Sequence, residues 1–278
     1  MELIEALVLG VLTIWALLPD LWYRWQSRDV LRKGEAGNKV ALTFDDGPDP
    51  VFTPLILDIL ARWDVPATFF MVAENARKCP EVVRQIVARG HEVGSHGMHH
   101  SPFWFLSPRR SRLEIQESLA TLRDLSGKPV RCFRPPWGMS NLITHYWMRQ
   151  TAQKVVLWSL DSLDWFFMTP ARLIIRKVSR WVCPGSIVLF HDGSGVRRTA
   201  AALVEALPQL LEDLLARGLV PVTVSELMDE GERMRKWHDC WEQSDESMGH
   251  CQAPGDLHYS ADQHGFMGRP ALLASDRS

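Results

Sequence analysis

At 278 residues, with 46% hydrophobic and 23% charged residues, the chain has enough apolar material for one large domain or two small ones, which excludes wholesale disorder. A formal net charge of −2 without a long basic run gives nucleic-acid binding little support. Of five cysteines, Cys79, Cys132 and Cys183 read as small core residues, Cys240 and Cys251 could pair in an oxidising compartment, and the odd count leaves at least one thiol free, so this is no disulfide scaffold.

The N-terminus opens on an apolar run. Ala6 to Leu18 carries no charge, and Trp15, Trp22, Tyr23 and Trp25 are suited to a bilayer interface. The run is short for a span of about 20 residues. The acidic start (Glu2, Glu5) and the lack of a small-x-small site argue against a cleaved signal peptide. Residues 1–33 are therefore expected to form a membrane-anchor helix and juxtamembrane segment.

Beyond a polar linker at Gly34–Lys39, apolar runs alternate with amphipathic stretches. Strands are expected at Val40–Phe44, Ala67–Val72, His91–Gly94, Val130–Phe133, Val155–Leu160, Ser186–Phe190 and Val220–Val224. Helices are expected at Thr53–Trp63, Glu81–Ala88, Arg109–Leu125, Leu142–Gln150, Ala171–Trp181 and Thr199–Ala216. The arginine groups 109/110/112 and 197/198 fall at helix starts and read as solvated faces. Strands alternating with helices imply parallel βαβ units, and about seven of them in under 200 residues imply an α/β fold, a distorted parallel (β/α) barrel. From Asp229 the chain has no Val or Ile, so residues 231–278 are expected to be a polar, poorly ordered tail. Its His238, His250, His258, His264, Cys240 and Cys251 match no zinc signature.

Functional groups of such a barrel collect at the carboxyl ends of the strands. After the first strand comes Asp45-Asp46-Gly47-Pro48-Asp49, and after the third His96-Gly97-Met98-His99-His100. Arg134-Pro135-Pro136-Trp137-Gly138, Asp161-Ser162-Leu163-Asp164-Trp165 and Leu189-Phe190-His191-Asp192 follow the next three. Of two adjacent carboxylates, one can bind metal while the other stays free as a base. His96 and His100, four apart, would face one metal from a helical turn. Two histidines and a carboxylate leave positions open for water and substrate. His191 is left as a proton donor, with Asp161 available to orient it and raise its pKa.

These motifs, in this order, closely resemble the NodB-type polysaccharide deacetylases, carbohydrate esterase family four, over residues 36–230. The resemblance implies removal of acetyl groups from N-acetylated sugars of a peptidoglycan- or chitin-like glycan. It makes Asp46, His96 and His100 ligands of a divalent ion, usually zinc, with Co2+, Ni2+ or Mn2+ as alternatives. By it, Asp45 is the general base, paired with Arg134, and His191 the general acid, tuned by Asp161. The Trp137 backbone N–H joins the oxyanion hole, while Trp165 and Leu189 wall the acetyl methyl. Two positions depart from the pattern: Gly97 replaces a Ser or Thr, which puts metal affinity in question, and Trp137 replaces a frequent Tyr.

His91, His99 and His145 are taken as structural or exposed, and Asp49, Asp164 and Asp192 as carboxylates that cap loop N–H groups. An O-acetyl sugar esterase and a non-catalytic sugar-binding relic are the rival readings; survival of base, ligands and acid argues against the relic. No protein partner is evident. The basic residues Arg24, Arg28, Arg32 and Lys33 favour a cytoplasmic side, but a glycan substrate places the membrane-anchored catalytic domain outside the cytoplasm.

Overall fold

The computed structural model describes residues 13–26, 30–35, 37–151, 153–166, 168–193 and 197–233, with Glu5, Gly10 and Val11. The chain divides into Met1–Glu232 and Arg233–Ser278. Of the second unit only Arg233 is described, so the expected tail, with Cys240 and Cys251, lies outside the described residues.

The strands are β1 (Val30–Leu31), β2 (Lys39–Asp45), β3 (Thr68–Met71), β4 (Glu92–Ser95), β5 (Cys132–Phe133), β6 (Lys154–Val156), β7 (Leu160–Asp161), β8 (Ile187–His191) and β9 (Val220–Val222). The helices are α1 (Leu18–Gln26), preceded by a π-turn at Thr13–Leu17, α2 (Phe52–Arg62), α3 (Ala73–Lys78), α4 (Pro80–Ala88), α5 (Pro108–Ser126), α6 (Leu142–Gln150), α7 (Ala171–Trp181) and α8 (Arg197–Ala216). The sheet runs β1-β6-β5-β4-β3-β2-β8-β7, every pairing parallel. On the edge of β2 opposite β8, β3 takes Thr43–Asp45 and β9 takes Lys39–Ala41.

The result is a distorted parallel (β/α) barrel. Its distortion lies where a single strand was expected at Val155–Leu160. The chain breaks there into β6, which pairs with β1 and β5, and β7, which pairs with β8. The segment 154–161 therefore bridges the two ends of the sheet, with Leu157 N–H donating to Leu31 O (2.8 Å) and Ser159 N–H to Ile187 O (3.1 Å).

Strand period two decides which side chains reach the interior. Along β2, Val40, Leu42 and Phe44 join the large core under the helices, with Ile56, Leu60, Phe69, Phe190, Leu203 and Leu207. Ala41 joins the smaller interior cluster with Phe70, Cys132, Val156, Ile187 and Val222. Thr43 and Asp45 share Ala41's face, so the first carboxylate of the motif points inward by register alone. Both faces being covered, β2 reads as one continuous apolar run. Helix starts follow local signals: Ser107 Oγ accepts Arg110 N–H ahead of Pro108, and Asn141 and Thr144 form a reciprocal capping box at α6.

The N-terminal expectation needs correction. No helix among the described residues is long and apolar enough to cross a membrane. The nine residues of α1 reach about 14 Å, half the hydrocarbon thickness. Part of the apolar run, residues 6–9 and 12, lies outside the described residues. What is described is attached to the barrel: Asp20 is buried against Ser140, and Trp15 Nε1–H donates to Leu106 O (3.2 Å). The cysteine reading holds for Cys132, which is buried, but Cys79 and Cys183 are only half-buried.

Candidate active site

Every site residue expected from sequence except Arg134 lines one open pocket of about 470 Å³ at the carboxyl ends of the strands, with Trp158 added. That size suits a small-molecule or single-sugar site. Arg134 lies directly beneath, with no exposed surface.

Asp46, His96 and His100 bring one ligand atom each to within 4.8 Å of one another. Asp46 Oδ1 is 3.4 Å from His96 Nε2 and 3.1 Å from His100 Nε2. His96 Nδ1 lies 2.7 Å from Arg134 O; since a carbonyl can only accept, the proton sits on Nδ1 and the Nε2 lone pair faces the cluster. Asp46 Oδ1 is buried and has no hydrogen-bond partner. Burial works to raise the Asp46 carboxyl, but the His100 and His96 rings, with His191 behind them, outweigh it and hold the group well below the usual carboxylate range. An ionised carboxylate with an unpartnered oxygen beside two imidazoles fits a divalent cation of the zinc type.

The histidine pair is not on a helical turn, as its spacing had suggested. Residues 96–100 form an irregular loop with Gly97 at φ 87° and His100 at φ 54°. The loop is organised by Glu114 of α5, a residue the sequence reading passed over. Its Oε2 accepts Met98 N–H (2.9 Å) and His99 N–H (3.0 Å), and its Oε1 meets His99 Nδ1 (2.8 Å) and Ser101 Oγ (3.3 Å). His99 thus turns away from the cluster and is structural. Gly97 has room for a side chain, the nearest atom to an added Cβ being Glu114 Oε2 at 3.6 Å, but its left-handed φ disfavours one.

Asp45 is buried and receives Arg134 Nη1–H at 2.6 Å. The other guanidinium bonds go to Thr43 Oγ1 (2.8 Å), Val156 O (3.2 Å) and Leu157 O (3.1 Å). The guanidinium also rests 4.0 Å from the centre of the Phe70 ring. Gly94 makes room for that ring: a Cβ there would stand 2.6 Å from it.

His191 is held by Asp164, not by Asp161. Its Nδ1 lies 2.8 Å from Asp164 Oδ1 and its backbone N–H donates to Asp164 Oδ2 at 2.7 Å. Asp161 is in register with Leu189, two residues short of His191. The turn after it, with Leu163 at φ 65°, folds Asp164 under the imidazole. Asp161 instead accepts Leu163 N–H (2.7 Å) and Trp165 Nε1–H (3.3 Å), so it positions Trp165. Burial alone would lower His191, but Asp164, then Asp45 and Asp46, raise it to about 9.

Of the other loop carboxylates, Asp49 caps Val51 and Phe52 N–H as expected, whereas Asp192 accepts from the Thr53 hydroxyl. Burial pushes Asp192 up to about 7, with Thr53 opposing and Asp46 and Asp45 adding to the rise. His91 and His145 are buried and structural.

Backbone strain gathers here. Asp46, His100, Trp137 and Leu163 are four of the five described non-glycine residues at positive φ; only Asp64 lies elsewhere. For Trp137 (φ 55°) and Leu163 such a conformation is costly, and tertiary packing must impose it. The Trp137 ring lies 4.2 Å from that of His100 and half exposed, over the pocket mouth.

Residues 32–156 match the family model described as polysaccharide deacetylase. A peptidoglycan-N-acetylglucosamine deacetylase of Bacillus cereus is 36% identical over 193 residues, 68% of this chain and 87% of that protein. A chitooligosaccharide deacetylase of Sinorhizobium fredii is 36% identical over 201 residues, 69% of this chain and 93% of that one. Among solved structures, the Bc1960 peptidoglycan N-acetylglucosamine deacetylase superposes with a TM-score of 0.71 at 32% identity, covering 75% of this chain and 96% of its own. Fold, strand-end motifs and relatives agree: the chain belongs to the NodB-type polysaccharide deacetylases, carbohydrate esterase family four, hydrolases that act on carbon–nitrogen bonds other than peptide bonds.

Proposed function

We propose that this deacetylase is metal-dependent and hydrolyses the N-acetyl group of N-acetylglucosamine units in a glycan of the cell envelope, releasing acetate and leaving a free amine. The observation that carries this reading is the convergence, in one pocket, of a cluster able to offer three ligands (Asp46, His96, His100), a separate buried carboxylate (Asp45) and an imidazole gripped by a carboxylate (His191 by Asp164). A divalent ion held by the cluster would supply Lewis-acid polarisation of the acetyl carbonyl and make a water molecule more acidic.

The chain's own groups do the rest. Asp45, fixed by Arg134, accepts the proton of the attacking water. The Trp137 N–H donates to the carbonyl oxygen as negative charge builds on it. His191, charged because of Asp164, gives its Nε2 proton to the departing sugar nitrogen, which would otherwise leave as an unstable amide anion. Trp165 and Leu189 offer the acetyl methyl an apolar wall and exclude water.

The names of the relatives support peptidoglycan and chitin-type oligomers as the substrates to try first. A glycan of the envelope also places the catalytic domain outside the cytoplasm, which added protease would reach in intact cells. The test of the reaction is acetate release from N-acetylated and O-acetylated glycans, with zinc supplied and with zinc chelated. Release from N-acetylglucosamine oligomers that depends on zinc supports the proposal. Release from O-acetylated sugars alone would make the protein an esterase.

A further inference from the structure

Among the described residues, α1 and the turn before it lie against the catalytic face, and they precede the part of the chain that matches the family model, which begins at residue 32. Their contacts fall next to the two chain segments that carry His100 and Trp137 to the pocket. Asp20 of α1 is buried, and its Oδ1 accepts both the backbone N–H (2.9 Å) and the hydroxyl (2.5 Å) of Ser140. Ser140 Oγ also meets His145 Nε2 at 2.8 Å, which ties the same point to α6. Trp15 Nε1–H donates to Leu106 O, just beyond the loop that carries His96 and His100.

Ser140 is three residues from Trp137, and the turn between them is strained. Gly138 N–H donates to Pro135 O and Met139 N–H to Pro136 O, while Trp137 itself stands at φ 55°. A bulky residue in that conformation needs an external restraint. One restraint is Asn141, which follows the turn and whose Nδ2 donates to Phe103 O (2.7 Å) and Ser111 Oγ (2.8 Å). The other is Asp20, which acts on the adjacent Ser140. A carboxylate that accepts two donors from one residue fixes that residue's position and orientation at once, and the short peptide between transmits both to Trp137.

We propose that Asp20 is a positioning residue for the deacetylation step: it holds the Pro136–Ser140 turn so that the Trp137 N–H is aimed at the acetyl oxygen. This rests on the role given to Trp137 above. The N-terminal segment is then a working part of the active site.

The test uses the full-length chain loaded with zinc. Asp20→Ala removes the oxygen that accepts both bonds and leaves the Ser140 N–H buried without it. It is expected to lower kcat about 10–100-fold, as a misaligned oxyanion donor does, with KM changed less than about threefold. Bound zinc should stay at the wild-type level. Amide hydrogen exchange should speed up at residues 137–140 and not across the barrel. Asp20→Asn keeps an acceptor oxygen and is expected within about threefold of wild type.

Wild-type kcat in zinc-loaded Asp20→Ala, or an equal loss in Asp20→Asn, overturns the positioning role. If Asp20→Ala does not fold, Ser140→Ala decides: a fall in kcat of about threefold or more at constant KM and zinc content supports the role, and wild-type turnover refutes it. Failure of the wild-type chain itself to release acetate would instead overturn the functional reading.

Discussion

Asp164 grips His191 at two points, its carboxylate oxygens lying 2.8 Å from the ring Nδ1 and 2.7 Å from the backbone nitrogen. One carboxylate thereby fixes both the ring's tautomer and the position of its Cα, and with Asp45 and Asp46 it outweighs burial to raise the imidazole to about 9.

The pH dependence follows with a definite sign. In the proposed mechanism the acid is His191 in its protonated form, so activity is expected to be lost as pH rises through about 9. Asp164→Asn keeps the shape but removes the charge, and the alkaline limb of kcat is expected to move down by about one to two pH units. Asp161→Asn should leave that limb in place, because Asp161 serves Trp165. Profiles of both variants side by side decide; a shift in Asp161→Asn and none in Asp164→Asn would reverse the assignment.

The two neighbouring carboxylates are expected to separate cleanly. Asp45→Asn should retain bound zinc and lose about 10²–10⁴-fold in turnover, the usual contribution of a positioned base. Asp46→Asn and His96→Ala should lose zinc affinity as well as activity while staying folded. Metal content and acetate release are the measurements, and an Asp45→Asn protein without zinc would show that the division of labour is wrong.

Glu114 carries a prediction of its own. Glu114→Gln leaves too few acceptor sites for the donors of the 98–101 loop, and loosening that loop frees His100. Zinc affinity, measured by competition with a chelator, is expected to fall about 10–100-fold, as it does when partners of metal ligands are removed. An unchanged dissociation constant would mean that the loop holds its shape without this carboxylate.

Gly94→Ala probes the support beneath Arg134. The new methyl would press on the Phe70 ring, which cannot retreat because the Arg134 guanidinium lies 4.0 Å from its centre. A loss of about 1–3 kcal/mol in urea unfolding is expected, with lower turnover per folded molecule as Arg134 shifts from Asp45. Wild-type stability would show that the ring has room to move.

What could be read from the sequence followed from local physics. Long apolar runs flanked by capped helices gave most strands and helices to within a residue or two, and the polar groups after each strand marked the catalytic face. Elements too short to carry a period were missed: the two residues of β1 and the six of α3. The break between β6 and β7 was hidden because Val155, Val156, Leu157 and Leu160 form one apolar run whichever neighbour they pair with. Asp161 and Asp164 are chemically identical candidates three residues apart, and only the turn at Leu163 selects between them. Glu114 sits on a helix where a glutamate ordinarily meets solvent, so nothing local marked it as a loop anchor. The N-terminal run was read as membrane-seeking by composition, whereas Asp20, two residues beyond it, is buried against the barrel.

The placement of β2 has a consequence for synthesis on the ribosome. This strand ends on Asp45 and leads directly into Asp46, yet Ala41 pairs with Ile187 and Lys39 with Val220. The candidate ligands Asp46, His96 and His100 emerge within about the first third of the chain, long before the strands that pair with the rest of β2 exist. Until β8 and β9 arrive, β2 has only β3 as a partner, and its other edge is open to wrong ones. Closing such distant pairings is intrinsically slow. The nascent chain therefore carries its candidate metal ligands early, and the pocket closes only when β8 sets Leu189 and His191 beside β2, with most of the chain already made.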